Sequence, residues 1–162
     1  MIPQDTIVAT ATPPGESAIG VVRLSGPDSF SILKRIFVCS NAREDLEPLH
    51  AHHGWIRHPE THRRIDEVLI VPFPAPNSYT GEDVVEISAH GSMAALRAIT
   101  EVALRQGARM AEPGEFTRRA FLNGKLSLDE ADAVIDVINS HSEAGLRVAS
   151  EQLSGSLSRK ID

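Results

Sequence analysis

Residues 76–91 read PNSYTGEDVVEISAHG, and this one stretch contains a turn, a short strand and the start of a helix. Asn77 and Gly81 favour the turn, because an Asn side chain can bond its own backbone and Gly adopts positive φ without steric cost. The alternation over residues 83–88 then predicts a strand with most of its apolar side chains on one face. Ser92 follows as the N-cap of a predicted helix that ends before Gly107.

Glu86 is the unusual residue of this strand. Val85 and Ile87 should share one face, which places Glu86 on the other face within a β-branched run. A carboxylate in that position either lies on a solvated sheet face or is held for a ligand that presents paired N–H donors. The residues alone favour the solvated face.

Arg23 repeats this pattern in another predicted strand, which begins near Ala18 and runs to Leu24. Val22 and Leu24 alternate with Arg23, so the guanidinium should leave the sheet on the opposite face. The simplest interpretation is a surface arginine whose aliphatic stem covers apolar area.

The remaining elements are predicted from periodicity and from turn residues. Strands are expected over residues 6–11, 67–73 and 109–111, helices over 29–37 and 116–122, and a loop over 40–49. Asp28 is the expected N-cap of the first helix. Lys125 follows Asn123 and Gly124, which end the helix over 116–122, and a lysine there interacts favourably with the negative end of the helix dipole.

The C-terminal part of the chain predicts one long helix. Ser127 and Glu130 form a capping box, and an apolar periodicity continues from there through Leu157. No helix stop is evident before Asp162, so we expect the chain to be a piece of a larger protein.

Composition restricts the function classes. The chain has 162 residues with 41% apolar and 4% aromatic residues, which suits one domain, or one domain and part of another. A net charge of −6 argues against a dominant phosphate-binding surface, although one local basic patch is compatible with it. Cys39 is the single cysteine, and no apolar run is long enough to span a bilayer, so we expect a cytoplasmic protein without membrane contact.

A nucleotide site is not expected in this chain. Residues 15–20, GESAIG, begin like a phosphate-binding loop, but Val21 and Val22 stand where Lys and Ser or Thr would follow. No other stretch of the sequence supplies that pattern. The chain as given should therefore not hydrolyse a nucleoside triphosphate.

Histidines are concentrated in one segment, and imidazoles are common zinc ligands. They are His50, His52, His53, His58 and His62. No cysteine lies among them, and Arg57, Arg63 and Arg64 add positive charge. We therefore interpret residues 58–61 as a hairpin turn with solvated histidines rather than as part of a metal site.

Three blocks of the sequence carry a family resemblance: DTIVATATPPGESAIGVVRLSG (5–26), PNSYTGEDVVEISAHG (76–91) and PGEFTRRAFLNGKLSLDEADAVIDVI (113–138). In this order they resemble the N-terminal region of the bacterial tRNA modification GTPases of the MnmE or TrmE family. The resemblance extends over essentially the whole chain, with residues 40–64 the least informative part.

The resemblance implies a fold and a role. The family's N-terminal domain is similar to the tetrahydrofolate-binding domain of aminomethyltransferases, and it forms homodimers. A helical domain follows, with an inserted potassium-stimulated GTPase domain, which binds GTP and Mg²⁺, and a C-terminal cysteine; this chain contains neither, and Cys39 does not match that cysteine. With a flavin-containing partner, such proteins modify the wobble uridine of certain tRNAs with a one-carbon unit from methylene-tetrahydrofolate.

The resemblance also implies a folate site at Arg23, Glu86 and Lys125. The two oxygens of Glu86 suit the adjacent N–H donors of a pterin ring, and such charge-assisted hydrogen bonds are about twice as strong as neutral ones. Arg23 and Lys125 would hold the glutamate tail or the carbonyl oxygens of the folate. No catalytic or metal-binding residue is implied in this chain.

We therefore expect an α+β domain over residues 1–122, with a mixed β-sheet flanked by helices, and the start of a truncated helical domain over 123–162. The expected role is to bind a 5-formyl or 5,10-methylene form of tetrahydrofolate and to self-associate. Two alternatives stay open. One is a free-standing folate-dependent aminomethyl transferase, and the other is a metal-binding interaction module built on the histidines of residues 50–62.

Overall fold

The computed structural model describes residues 5–41 and 45–154. Within that part of the chain, seven strands form one sheet, and five helices accompany it. The strands are β1 (Ile7–Thr10), β2 (Ser17–Ser25), β3 (Phe37–Cys39), β4 (His52–Arg57), β5 (Arg64–Phe73), β6 (Val84–Gly91) and β7 (Arg109–Met110). The helices are α1 (Ser29–Ile36), α2 (Met93–Arg105), α3 (Glu115–Leu122), α4 (Leu128–Ile138) and α5 (Glu143–Leu153).

The sheet is mixed, as predicted. Its strand order is β3-β4-β5-β6-β2-β1-β7. Every neighbouring pair is antiparallel except β1 and β7, which are parallel. The two edge strands are only three and two residues long, which leaves few unpaired backbone groups at the edges.

Helices α1 and α2 pack on one face of the sheet and close the core. Val22 and Leu24 of β2, Ile87 of β6 and Ile99 of α2 are fully buried there. Complete burial of such a side chain stabilises the fold by roughly 1.5–3 kcal/mol. The opposite face of the sheet, which we call the open face, carries the partly exposed side chain of Arg23, so the predicted alternation is confirmed.

The first helix was predicted one residue too long. It ends at Ile36, and Phe37 has the extended backbone angles φ −107° and ψ 141° and begins β3. The buried residues of α1 are Ser29, Ile32, Leu33 and Ile36. Phe37 does not belong to this buried face of the helix, and its ring packs into the core from β3 instead.

The hairpin of β3 and β4 was missed, and β5 begins at Arg64 rather than at Glu67. In β4 only Gly54 and Ile56 are buried, so the sequence shows little apolar alternation. Gly54 is required there, because a Cβ atom would lie 2.2 Å from the carbonyl oxygen of Val38. The predicted turn at residues 58–61 does connect β4 to β5.

The prediction of a single long C-terminal helix was also wrong, because residues 139–142 are not helical and separate α4 from α5. Ser142 restarts the helix, and its hydroxyl accepts a hydrogen bond from the Gly145 backbone N–H at 3.1 Å. Asn and Ser at the break are typical cap residues, so the signal was present in the sequence. Leu157 lies outside the described residues.

The predicted helix caps had mixed outcomes. The capping box of Ser127 and Glu130 is confirmed. Neither Asp28 nor Ser92 makes a side-chain cap hydrogen bond. Instead, the backbone N–H of Asp28 donates to the Thr6 hydroxyl at 2.8 Å, which ties the start of α1 to the chain before β1. Nowhere in residues 5–41 and 45–154 is a helix long and apolar enough to cross a membrane.

Ser29 provides a test of the core packing. Its hydroxyl is buried and has no hydrogen-bond partner among the described residues. Because Ser29→Ala removes an unpaired polar group from the core, we expect it to raise the free energy of unfolding in urea by about 1 kcal/mol.

Ser31→Ala is the matched control in the same helical turn. The Ser31 hydroxyl is exposed and donates to the Asp28 carbonyl oxygen at 3.0 Å, so its removal should change stability by less than about 0.5 kcal/mol. A larger loss of stability in Ser29→Ala than in Ser31→Ala would contradict this description.

Candidate functional site

Arg23 and Glu86 form an ion pair on the open face. They are register partners in the antiparallel pair of β2 and β6, so the backbone places their side chains next to each other. Arg23 Nε and Nη2 donate to Glu86 Oε1 at 2.9 and 2.6 Å. The side chains are 24% and 32% exposed, so the pair is reachable from solvent. Two of the three predicted site residues are therefore brought together.

Two aromatic rings lie next to Arg23. The guanidinium carbon of Arg23 lies 5.4 Å from the ring centroid of Tyr79 and 5.5 Å from that of Phe116. Cation–π contacts of this kind stabilise by roughly 0.5–2 kcal/mol. The Tyr79 hydroxyl is 2.9 Å from Thr117 Oγ1, which joins the two walls. Sequence reasoning assigned no role to either ring, although both belong to the blocks that carry the family resemblance.

Lys125 lies against the loop of residues 76–82, which we call the 76–82 loop. Its Nζ donates to the carbonyl oxygen of Pro76 at 3.1 Å, and Asn123 Nδ2 donates to that of Thr80 at 2.7 Å. A Cβ atom on Gly81 would come within 3.2 Å of the Lys125 side chain. Lys125 forms no described hydrogen bond or ion pair with Arg23 or Glu86, but it borders the loop that carries Tyr79.

A buried ionic network fixes the loop and α3, and the sequence analysis missed it. Its centre is Arg119, whose side chain is 0% exposed. Arg119 Nη2 donates to Asp5 Oδ1 at 2.7 Å and to Glu115 Oε1 at 3.0 Å, and Nη1 donates to both oxygens of Glu82 at 3.2 Å. Three distant segments of the chain are thereby held by one guanidinium.

Arg109 extends the network to β7. It donates to both carboxylate oxygens of Glu115, at 2.8 and 2.6 Å, and also to Asp5. On the loop side, the Ser25 hydroxyl donates to Glu82 Oε2 at 2.6 Å and lies 2.7 Å from Thr80 Oγ1. The end of β2 thus joins the same network.

The ion pairs of the network stabilise the charged forms of its carboxylates and guanidinium groups. Hydrogen bonds from Arg109 lower the pKa of Glu115 to about 2. Burial acts in the opposite direction, and hydrogen bonds from the Glu112 backbone N–H and from Arg119 lower the pKa further. Arg109 also lowers the pKa of Asp5 through its hydrogen bond. Burial by itself would lower the pKa of Arg119, but hydrogen bonds to Glu115 and Asp5 outweigh it and raise the pKa. All these groups stay charged near neutral pH, so none is suited to proton transfer there.

The histidines do not converge on a common centre. His53 Nε2 lies 2.6 Å from a Glu67 oxygen, and His90 Nδ1 lies 2.7 Å from an Asp66 oxygen, whose hydrogen bond raises the pKa of His90. His50 and His52 bond to backbone carbonyl oxygens instead. In the described part of the chain, no three His, Cys, Asp or Glu side chains are placed to hold a metal ion.

A separate cleft of about 480 Å³ lies beside α2, between that helix and the turn that follows β1. It is on the face opposite the Arg23/Glu86 pair and is lined by apolar groups such as Met93 and Met110. The charged residues at its rim, Arg97 and Glu101, pair with each other at 3.0 Å. None of the predicted site residues borders this cleft.

Comparisons with known proteins agree on one family. A family model described as GTP-binding protein TrmE N-terminus matches residues 6–125. The tRNA modification GTPase MnmE of Syntrophobacter fumaroxidans is 51% identical over 97% of this chain and 33% of its own length. The proteins of the same name from Carboxydothermus hydrogenoformans and Thermotoga maritima are 47% and 48% identical over 98% of this chain and 35% and 34% of their own. The chain therefore spans about a third of the length of these curated relatives.

The depressed pKa of Glu115 predicts acid destabilisation. Its pKa is about 2 in the folded chain against an ordinary value of 4.5, so its contribution is complete above pH 4.5 and is lost as the pH falls through 2. We expect the free energy of unfolding, measured in urea at a series of pH values, to fall over that window by an amount on the order of 3 kcal/mol from this residue.

Glu115→Gln should flatten this pH dependence, because the titrating group is gone. Glu60→Gln removes the same charge from an exposed turn and should keep the slope of the parent chain. A parent stability that does not change between pH 5 and pH 2 would refute the role given to the network.

Proposed function

The chain belongs to the TrmE N-terminal family, and we propose that it is the tetrahydrofolate-binding and dimerisation part of a tRNA modification GTPase. Residues 1–122 would form the folate domain, and residues 123–162 would begin a helical domain. The chain supplies a binding platform in this proposal, and GTP hydrolysis with Mg²⁺ and K⁺ belongs to other parts of the longer protein.

The proposed reaction of the whole protein takes place on tRNA in the cytoplasm. With a flavin-containing partner, it forms modifications of the 5-carboxymethylaminomethyluridine type at the wobble uridine. The one-carbon unit would come from a 5-formyl or 5,10-methylene form of tetrahydrofolate bound to this chain. The names of the relatives support the tRNA and GTPase parts of this proposal.

The Arg23/Glu86 pair between two aromatic walls is the observation that carries the folate proposal. Only Oε1 of Glu86 is engaged by Arg23, so Oε2 remains an acceptor without a partner among the described residues. A pterin ring presents adjacent N–H donors to such a carboxylate, and the rings of Tyr79 and Phe116, which contact the Arg23 guanidinium, add aromatic surface nearby. These features support a folate site on the open face.

The main role of Arg23 in this proposal is to orient the Glu86 carboxylate. Its two hydrogen bonds fix the orientation of the carboxylate before any ligand arrives, which reduces the entropy lost on binding. Lys125 is exposed and uses one donor for the Pro76 carbonyl oxygen. Its remaining donors would hold a carbonyl oxygen or a carboxylate of the folate tail.

Self-association is supported by apolar side chains on the open face. Ile19 of β2 is 63% exposed and Leu69 of β5 is 49% exposed. Both project from the face that α1 and α2 leave uncovered, and exposed apolar groups on a sheet face favour a protein interface. We propose that the homodimer forms through this face.

Calorimetric titration with 5-formyl-tetrahydrofolate tests the folate site. We expect saturable binding near one ligand per chain. Glu86→Ala should weaken it by about 1.5–3 kcal/mol, the contribution of a hydrogen bond to a charged group. Glu60→Ala removes a carboxylate from an exposed turn and should leave the affinity unchanged. Equal affinities for Glu86→Ala and the parent chain would exclude Glu86 from the site.

Sedimentation equilibrium tests the dimer. The parent chain should be dimeric at high micromolar concentration, and Leu69→Glu should shift it towards monomer, because a charge would be buried in the interface. Met93→Glu places the same charge on an exposed methionine of α2, on the other face, and should not affect association. Monomeric behaviour of the parent chain would refute the proposed dimerisation.

A further inference from the structure

The middle of the 76–82 loop is held by one side chain from the end of α3. Asn123 Nδ2 donates to the carbonyl oxygen of Thr80 at 2.7 Å, and no other hydrogen bond described in residues 5–41 and 45–154 ends on that oxygen. Thr80 is 0% exposed, and its hydroxyl lies 2.7 Å from Ser25 Oγ of β2. The Asn123 amide therefore satisfies a carbonyl group that the surrounding residues keep from water.

Asn123 has a defined orientation because of the way in which α3 ends. It is followed by Gly124, which has a φ of 70°. The Gly124 N–H donates to the Phe121 carbonyl oxygen at 3.0 Å. The Lys125 N–H donates to the Ala120 carbonyl oxygen at 2.8 Å. These two hydrogen bonds form a Schellman motif, in which a glycine with positive φ ends a helix, and they fix the backbone from which the Asn123 amide reaches the loop.

The loop packs closely against this helix end. Gly81 has a φ of 78°, and a Cβ atom there would lie 3.2 Å from both Asn123 Cβ and Lys125 Cγ. The two ends of the loop are tied separately, by the Lys125 side chain and by the pairing of Glu82 with Arg119. Asn123 therefore holds the part between these ends, which carries one aromatic ring of the proposed site.

We propose that Asn123 is a positioning residue, which keeps Tyr79 against Arg23 by fixing the backbone of the 76–82 loop. Tyr79 directly precedes Thr80, and its ring centroid lies 5.4 Å from the Arg23 guanidinium carbon. A buried carbonyl group without a partner is destabilising, so a chain without the Asn123 amide should shift its loop until water reaches this oxygen. That shift moves Tyr79 away from Arg23. The consequence for ligand binding rests on the proposed folate site.

Tyr79 is the single tyrosine of the chain, so fluorine NMR of the fluorotyrosine-labelled chain reports its ring alone. The same chain unfolded in urea supplies the chemical shift of a released ring. The folded parent chain should differ from this reference, because Arg23 and the Thr117 hydroxyl lie next to the ring. Asn123→Ala should move the chemical shift towards the reference.

Asn139→Ala is the matched control. Asn139 is the C-cap of α4 as Asn123 is the C-cap of α3, with φ −88° and ψ 0° against φ −87° and ψ 6°. Asn139 is exposed and has no described hydrogen bond to the loop, so its variant should keep the parent spectrum. Asn123→Asp keeps the shape of the side chain but has no amide donor. It should behave like Asn123→Ala, and it tests the proposal even if the alanine variant does not fold.

Calorimetry with 5-formyl-tetrahydrofolate on the same variants measures the effect on binding. Both Asn123 variants should bind about fivefold more weakly, because the ligand must restore the loop position without one hydrogen bond, whose net contribution corresponds to a factor of roughly 2–13 in an equilibrium constant. Asn139→Ala should bind like the parent chain.

Three results would overturn the proposal. One is a parent-like fluorine spectrum in both Asn123 variants. Another is an equal spectral change in Asn139→Ala. The third is weaker folate binding with an unchanged spectrum, which would mean that Asn123 contacts the ligand directly. If the parent chain binds no folate but its spectrum responds to the Asn123 variants alone, the positioning of Tyr79 is supported and only the folate site is refuted.

Discussion

The burial of Arg119 is the constraint on which the rest of the candidate site depends. A guanidinium removed from water is tolerated only when carboxylates and carbonyl oxygens satisfy its donors. The carboxylates that accept hydrogen bonds from Arg119 belong to Asp5 before β1, Glu82 before β6 and Glu115 in α3. These segments lie far apart in the sequence, so pairing them fixes α3 and the 76–82 loop against one end of the sheet.

The side chains of the folate proposal belong to the elements that this pairing holds. Phe116 follows Glu115 in α3, and Tyr79 lies in the loop that ends at Glu82. Their rings meet Arg23 because α3 and the loop are held at a set distance from β2. The sheet itself contributes the charges, since the register of β2 and β6 places Arg23 opposite Glu86. Strand register thus positions the polar groups, and the buried network positions the aromatic walls.

Part of this arrangement could be predicted from the sequence. Alternation in each strand placed Arg23 and Glu86 on the face opposite the core, since period-two patterns depend only on local geometry. Their adjacency could not be predicted in this way, because it depends on the pairing of strands about 60 residues apart. Arg119 was missed for a similar reason. A Glu and an Arg four positions apart on a helix usually form an exposed pair, and nothing local shows that Asp5 and Glu82 bury this one.

In the hairpin of β4 and β5, the sequence failed to predict a strand because the strand contributes little to the core. Its histidines and arginines suggested a solvated turn, and β4 was missed because Gly54 and Ile56 are its only buried residues. A strand with so few core side chains contributes little to folding, so its open-face positions can carry charged groups. Helices α1 and α2 contact β1, β2, β3, β5 and β6 and cover one face of the sheet, where the buried apolar side chains lie. On the open face of β4, β5, β6 and β2, core packing therefore does not restrict the residue types, and polar side chains that bind a ligand can be accommodated.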